Sequence, residues 1–386
     1  MNIGIIADGY VDANGTLDYL KIILRGLYLR DDVKLFMFFS SDNQKRLRHI
    51  PTGIRKVYEL IVPYKRNTSI ESFSEFKELV IVEYKVRNLK EKLKENKIDV
   101  IFPTMIDLGK DMPVKWAMEL FDCQHQYFPQ YFAWHTRVAR NWFFQSSMKH
   151  ADLIFVNSEK AKNDFSSFYK IDKEKIKLLP FCPTHRKEIV GDDIPEMPQK
   201  YGINKPFFLI SNQFYWHKRH DIAFEALNIL IKKGYDIKVV CTGLMNENNE
   251  YERGLKGLLN KLGIENKVMF LGVIPKKDQI ELMKQSLGVI QPSEFEGDCS
   301  GQIIDAITVG QRSIASDIDV IKEVSYLDSI CYFKLDDAED LAQKMELYIN
   351  TSYERPSLDE LLEQENKYLH AFSNAIYSII RELEKC

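Results

Sequence analysis

Pro292-Ser293-Glu294-Phe295-Glu296-Gly297-Asp298-Cys299-Ser300-Gly301-Gln302-Ile303-Ile304-Asp305-Ala306 follows a short apolar run, Gly288–Pro292, and opens a stretch of helical period, Gly301–Val309. A strand, a tight acidic loop and a helix in direct succession form the repeating unit of a parallel sheet, whose neighbouring strands are reached through crossover helices. The unit recurs on both sides. Downstream and upstream within the second half, strands are expected at Phe207–Ser211, Ile237–Gly243, Val268–Leu271, Ser313–Ser316 and Ile330–Phe333. Helices are expected near His217–Lys233, Glu250–Leu262, Lys276–Gln285 and Ala338–Asn350.

The first half repeats the alternation. Its strands are expected at Ile3–Ala7, Val33–Ser40, Lys56–Val62, Val100–Pro103, Trp116–Phe121, Leu153–Val156 and Ile176–Pro180, and its helices at Leu17–Leu29, Glu71–Asn96, Tyr131–His150 and Glu159–Phe168. Between the halves, Arg186–Pro206 sets Gly191, Pro195, Pro198, Gly202 and Pro206 among charged residues, a linker composition. Two open α/β domains follow, 1–188 and 203–357, with a charged helical segment, 358–386, after Pro356. A length of 386 residues accommodates two such domains of roughly 180 residues each.

Bulk composition narrows the partners. Hydrophobic residues make up 45% and charged residues 28%, and a formal charge of −3 offers no basic excess for nucleic acid. The start, MNIGIIADGY, lacks a signal-peptide pattern, and no apolar run approaches the roughly 18 residues of a membrane span, so a cytoplasmic protein is expected. The six cysteines are scattered without a C-x-x-C pair, which suggests buried, reduced thiols and no zinc cluster. His135–His150 mixes Arg137, Arg140 and Lys149 with Trp142, Phe143 and Phe144. It suits either a membrane-surface helix or an ordinary domain helix, with the domain helix preferred; peripheral contact at the inner membrane face is the other reading.

Chemistry in open α/β sheets concentrates at loops following the carboxyl ends of strands. Four such loops stand out. In Asp8–Thr16, Gly15 permits close backbone approach at a helix N-terminus, although the loop does not match G-x-G-x-x-G. In Asp122–Pro129, His125 lies beside a carboxylate and an amide, a polar pocket or a structural histidine. Asn212–His220 places Asn212, Gln213, Lys218 and Arg219 at a helix start, where cations oppose the helix dipole unless an anion is bound; a solvated basic turn is the alternative. In 292–306, Cys299, Ser300 and Gly301 leave amides accessible at a helix N-terminus, an arrangement suited to pyrophosphate, while Glu296 and Asp305 offer carboxylates to sugar hydroxyls; an acidic loop without a ligand is the alternative.

The order of these segments resembles the retaining glycosyltransferases of the GT-B fold, in particular family 4 and its mannosyltransferase-like group. The resemblance rests on Pro292-Ser293-x-x-Glu296-Gly297 with Asp305-Ala306, Ala151–Glu159, Asn212-Gln213-Phe214 with His217-Lys218-x-His220, Ser313–Asp317, and Asp122-x-Gln124-His125 with Pro129 and Phe132. It spans nearly the whole chain. Three departures accompany it: the Glu296–Asp305 spacing is one residue longer than the family pattern, Asp305 stands for a Glu, and Gln213 stands where an Arg often precedes the Lys.

The resemblance implies two facing Rossmann-like domains with a C-terminal crossover helix, and transfer of a hexose from a nucleotide-diphosphate sugar. GDP-mannose is the donor it suggests, and a glycan or lipid-linked acceptor in surface polysaccharide or glycoconjugate synthesis the destination. It implies a base near Gly272, Val273 and Ile274, ribose on Asp305, and phosphates on Lys218, helped by Arg219, and on the Ser300–Gly301 amides. Glu296 and His125 would contact the transferred sugar. No metal or other cofactor is implied. Two other readings stay open: a non-hydrolysing nucleotide-sugar 2-epimerase, and a non-catalytic scaffold subunit of the same fold.

Overall fold

The computed structural model describes residues 1–12, 14–40, 73–183, 194–245, 250–297, 300–323 and 329–386. The chain divides into two compact units, Met1–Pro180 with Leu369–Cys386, and Phe181–Tyr368. Each is a parallel sheet with helices, the α/β architecture expected.

The first unit contains β1 (Asn2–Ile6), α1 (Asn14–Leu27), β2 (Lys34–Ser40), β3 (Val80–Tyr84), α2 (Leu89–Glu95), β4 (Val100–Thr104), β5 (Lys115–Glu119), α3 (Gln124–Tyr127), α4 (Trp134–His150), β6 (Leu153–Val156), α5 (Glu159–Tyr169) and β7 (Ile176–Leu178). Its strands lie in the order β3-β2-β1-β4-β5-β6-β7. Ile6, Phe38, Ile101, Met118 and Ile154 pack against Leu89, Leu93, Phe144 and Phe165 from the helices. Burial on both faces explains why these strands read as continuous apolar runs.

The expectation of one helix over Glu71–Asn96 needs correction. Val80–Tyr84 is a strand paired in parallel with β2, and only Leu89–Glu95 is α-helical there. The run Val80-Ile81-Val82 is β-branched, and such side chains fit a pleated surface better than the crowded turn of a helix. The strand expected at Lys56–Val62 lies outside the described residues.

The second unit contains α6 (Met197–Lys200), β8 (Phe207–Ser211), α7 (His220–Lys232), β9 (Lys238–Thr242), α8 (Glu250–Leu262), β10 (Val268–Phe270), α9 (Lys276–Gln285), β11 (Val289–Gln291), α10 (Gly301–Thr308), β12 (Ser313–Ser316), α11 (Asp319–Lys322), β13 (Ile330–Phe333) and α12 (Ala338–Asn350). Strand order is β10-β9-β8-β11-β12-β13. Alternation along β8 sends Phe208 and Ile210 into one core with α7 and α12, and Phe207 and Leu209 into another with α9 and α10. The chain then enters α13 (Leu358–Lys385), which begins in the second unit and ends in the first.

Within the first unit, Phe372, Ile376, Ile380 and Leu383 of α13 are buried. A Cβ at Gly26 would stand 2.9 Å from Ile376 and 3.1 Å from Phe372, so α1 and α13 meet where α1 has no side chain. Ser373 Oγ donates to the Gly26 carbonyl at 2.7 Å, and Tyr377 Oη to that of Leu27 at 2.8 Å.

Candidate functional site

In the second sheet, β8 has β9 on one side and β11 on the other, so the connections leave β8 and β11 in opposite directions. Such a reversal opens a crevice beyond the carboxyl ends of the two strands, the usual ligand position in an open α/β sheet. The loops from β8 to α7 and from β11 to α10 therefore border one place. They are tied by their backbones, with the Glu294 amide donating to the His217 carbonyl at 2.9 Å.

Lys218 and Glu296, 78 positions apart in sequence, meet here: Lys218 Nζ donates to Glu296 Oε1 at 2.6 Å and Oε2 at 2.8 Å. Their side chains are only 13% and 8% exposed, so the pair is largely withdrawn from water. Below it lies a buried amide network. Gln291 ends β11 fully buried; its Nε2 donates to Glu296 Oε1 and, at 2.6 Å, to Ser293 Oγ. Its Oε1 accepts from Asn212 Nδ2 at 2.8 Å and from Gln302 Nε2. Gln302, in the first turn of α10, also donates to the Ile290 carbonyl at 2.9 Å and accepts from the Ser211 amide at 2.7 Å.

The remaining residues of these loops are spread around this centre. Ser300 is buried with φ +71° and precedes α10, while a Cβ at Gly301, which opens the helix, would meet none of the described residues within 4 Å. Cys299 lies outside the described residues. Arg219, also left-handed at φ +49°, is drawn to carboxylates: its guanidinium reaches Asp221 at 3.1 Å, Glu294 at 3.6 Å and Asp336. Asp305 pairs with Lys276 at the start of α9 and lies 3.5 Å from Gln279 Nε2. Gln213 is exposed, Val273 is 71% exposed, and Ile274 packs on the core shared by α9 and α10.

Glycine geometry brings the strand ends together. Gly243 follows β9 at φ +138°, and a Cβ there would sit 2.2 Å from the Asn212 carbonyl oxygen. Its amide donates to the Gly272 carbonyl at 2.9 Å. The backbone ends of β8, β9 and β10 thus stack with no side chain between them.

Two histidines flank the β8 loop. Burial and the Lys218 charge push His217 down to about 3, and the same causes with His217 added push His220 down to about 3. Both are neutral near pH 7. His220 stacks on Phe214 with ring centroids 4.6 Å apart, and among the described residues neither of its ring nitrogens has a partner.

In the first unit, Gly15 lies in the first turn of α1, where a Cβ would meet none of the described residues within 4 Å. His125 is buried in α3. Its Nε2 is 2.9 Å from Asn141 Oδ1 and 3.1 Å from Tyr169 Oη, beside the rings of Phe132 and Phe144. Burial lowers its pKa, with the Asn141 hydrogen bond opposing. Helix α4 buries Phe144 and Met148, whereas Trp134 and Val138 at its start are 70% and 52% exposed.

Loop position and residue type single out Lys218, Glu296 and Asn212 in the sequence, but not the glutamines that join them. Gln291 was the available signal, because a long polar side chain ending a strand buried on both faces must find partners. Among the described residues no cluster of His, Cys, Asp and Glu is arranged to hold a metal ion, and no helix is long and apolar enough to cross a membrane. Cys123, Cys182 and Cys241 are buried cysteines outside any disulfide.

Residues 193–367 match the family model described as "Glycosyl transferases group 1". Protein CapJ of Staphylococcus aureus is 30% identical over 141 residues, 35% of this chain and 34% of CapJ. The uncharacterized glycosyltransferase MJ1059 of Methanocaldococcus jannaschii is 25% identical over 171 residues, 44% of this chain and 40% of that protein. The matched part thus spans between a third and two fifths of these relatives' length. Among solved structures, the sucrose-phosphate synthase of Thermosynechococcus elongatus superposes with a TM-score of 0.66 at 14% identity, covering 99% of both chains. Anabaena Alr3699/HepE in complex with UDP and glucose gives 0.61 at 16%, covering 100% of both. These likenesses are of fold, and the fold is GT-B, with two parallel-sheet Rossmann-like domains.

Proposed function

We propose that this chain is a retaining glycosyltransferase that takes a hexose from a nucleotide-diphosphate sugar and passes it to a glycan or lipid-linked acceptor. The observation that carries this reading is the meeting of Lys218 and Glu296 at the switch point of the second sheet, beside the N-terminus of α10. The family match over residues 193–367 covers the same unit.

In this proposal the diphosphate takes Lys218 from Glu296, and the α10 amides near Ser300 and Gly301 receive its remaining oxygens. The Lys218 charge then opposes the negative charge that grows on the leaving diphosphate, the kind of preorganised electrostatic stabilisation that dominates such chemistry. Glu296, released, accepts a hydrogen bond from the transferred sugar. Asp305 turns from Lys276 to the ribose, with the base near Val273 and Ile274. Arg219 supports the loop, and Asn212 holds it to β11. Gln213, Cys299 and Gly15 remain candidates for donor contact, and His125 for contact with the transferred sugar.

Mannose carried on GDP is the donor put forward. The HepE structures, in complex with UDP or UDP-glucose, make uridine donors its first competitor. The deciding experiment is a thermal-shift and donor-hydrolysis panel of UDP-, GDP-, ADP- and dTDP-sugars. One donor should be stabilising and slowly hydrolysed, with the anomeric configuration kept and EDTA without effect. No binding and no turnover across the panel would overturn the proposal; epimerisation without nucleotide release would replace it with the 2-epimerase reading. Peripheral membrane contact through exposed Trp134 and Val138 is proposed for a lipid-linked acceptor. Co-sedimentation with anionic vesicles, lost in Trp134→Ala, is its test.

A further inference from the structure

We infer that Gln291 is the positioning residue of this site: a fully buried amide that keeps Glu296 in place when Lys218 leaves it for the donor diphosphate. The inference rests on the glycosyltransferase reading and adds to it a residue outside the loops that would touch the donor.

The polarity of the amide network is set by the backbone. The Ser211 N–H can only donate, so the Gln302 oxygen faces it; the Ile290 carbonyl can only accept, so the Gln302 nitrogen faces that. The Gln302 nitrogen therefore also points at Gln291 Oε1, as does Asn212 Nδ2. With both acceptor directions of Gln291 filled, its NH2 group must face the other way, toward Ser293 Oγ and Glu296 Oε1. All four hydrogen-bonding directions of Gln291 are used, and none can be reversed without leaving a buried polar group unmatched.

The two oxygens of Glu296 are consequently unequal. Oε1 receives both Gln291 and Lys218, whereas Oε2 receives Lys218 at 2.8 Å. When a diphosphate draws Lys218 away, Oε1 stays anchored to the sheet through Gln291, and Oε2 becomes the acceptor offered to a sugar hydroxyl. Without Gln291 the carboxylate loses its fixed point, and its rotamer would follow Lys218 or water. Ser211 and Asn212 at the end of β8 and Gln302 at the start of α10 belong to the same chain of bonds. A donor that shifts α10 thus acts on Glu296 through Gln302 and Gln291.

The test compares the wild-type chain with Gln291→Met, which keeps side-chain length but donates nothing, and Gln291→Glu, which keeps shape but reverses the donor. Each is measured for kcat with the donor that the wild type turns over, for affinity toward the corresponding free nucleoside diphosphate by calorimetry, and for melting temperature. Gln291→Met should lower kcat by about 10- to 100-fold while diphosphate affinity stays within about threefold, because the diphosphate lacks the sugar that Glu296 holds. Gln291→Glu sets two carboxylates face to face, a pair that favours sharing one proton. Its kcat relative to wild type should rise as the pH is lowered from about 8 to about 5.5, since the shared proton restores a donor to Glu296.

A kcat within twofold of wild type in Gln291→Met overturns the inference, as does a parallel fall of kcat, diphosphate affinity and melting temperature with no pH recovery in Gln291→Glu. Both results leave the transferase reading standing, because wild-type turnover is measured beside them. A wild-type chain inert toward every donor in the panel overturns that reading, and this inference with it.

Discussion

Lys218 and Glu296 neutralise each other, which makes each of them a competitor for the other's proposed partner. A diphosphate must displace Glu296 from Lys218 before it can be held, so removing the carboxylate charge should favour the diphosphate while harming turnover. Glu296→Gln is expected to bind free nucleoside diphosphate roughly fivefold more tightly, the equivalent of about 1 kcal/mol of relieved competition, and to lose kcat by about 10²-fold or more. Lys218→Ala should do the reverse on binding and also lose about 10²–10³ in rate. Calorimetry beside donor hydrolysis reads both, and equal losses of diphosphate affinity in the two variants would exclude the competition. Asp305 is paired with Lys276 and is the proposed ribose acceptor, so Asp305→Ala should weaken the diphosphate complex. Lys218 and Glu296 could both be named from loop position and residue type, because charged groups in loops after strands advertise themselves in sequence. Their pairing could not, since it depends on how two loops 78 positions apart are brought together.

At the scale of elements, the strand ends that border the candidate site are held close by the backbone contact at Gly243. Gly243→Ala would place a Cβ 2.2 Å from the Asn212 carbonyl oxygen at a φ of +138°, so β8 and β9 would have to part where Asn212 meets Gln291. A loss of about 2–4 kcal/mol in denaturant unfolding is expected, and an unchanged midpoint would show the strand ends to be yielding. Helix α7 begins with a different liability, His220, fully buried and neutral against Phe214. Its folded pKa of about 3 lies below the unfolded value of about 6.5, so the unfolded chain alone takes up this proton between those limits. Stability is therefore full above about pH 6.5 and declines as the pH falls toward 3. His220→Phe should flatten that decline in urea titrations at successive pH values, and the same slope in both proteins would remove His220 as its cause. Most elements here were legible from periodicity, with Leu153–Val156, Phe207–Ser211 and Glu250–Leu262 falling where the residue pattern placed them. Strand β3 was not, because Val80–Tyr84, the edge strand among the described residues, lies amid charged residues whose spacing also satisfies a helical period. Gln291 and Gln302 escaped for another reason: amides carry no charge, and their role appears only when four segments converge on them.

Over the whole molecule the chain does not keep its two units separate in sequence, since Leu369–Cys386 belongs to the unit built from Met1–Pro180. Helix α13 starts at Leu358 in the second unit, where Leu361 is buried beside Gly310, and finishes against α1 with Phe372, Ile376, Ile380 and Leu383 buried. A buried face could be anticipated from apolar residues recurring at three- and four-residue spacing after Pro356, while the return to the first unit was what the family resemblance implied. Where on the first unit it would settle was beyond both, because Gly26 marks the place by having no side chain rather than by a feature of its own. Lys177 adds an ion pair to Glu382 near the end of the helix. Cutting the chain after Tyr368 should therefore damage the unit it leaves, not the unit it is cut from. Buried Phe and Ile side chains contribute about 1.5–3 kcal/mol each, so losing four such residues removes a large part of the roughly 5–15 kcal/mol by which a domain is stable. Calorimetry of the truncated chain is expected to lose or sharply lower one melting transition while a second persists. Nucleoside-diphosphate binding, proposed to rest on residues of the Phe181–Tyr368 unit, should remain with the surviving transition. A Gly26→Leu variant of the full-length chain, which fills the space that Ile376 and Phe372 occupy, should lower the same transition without shortening the chain. If truncation instead left both transitions in place, or abolished diphosphate binding while Gly26→Leu left it intact, the last helix would be serving the second unit and not the first.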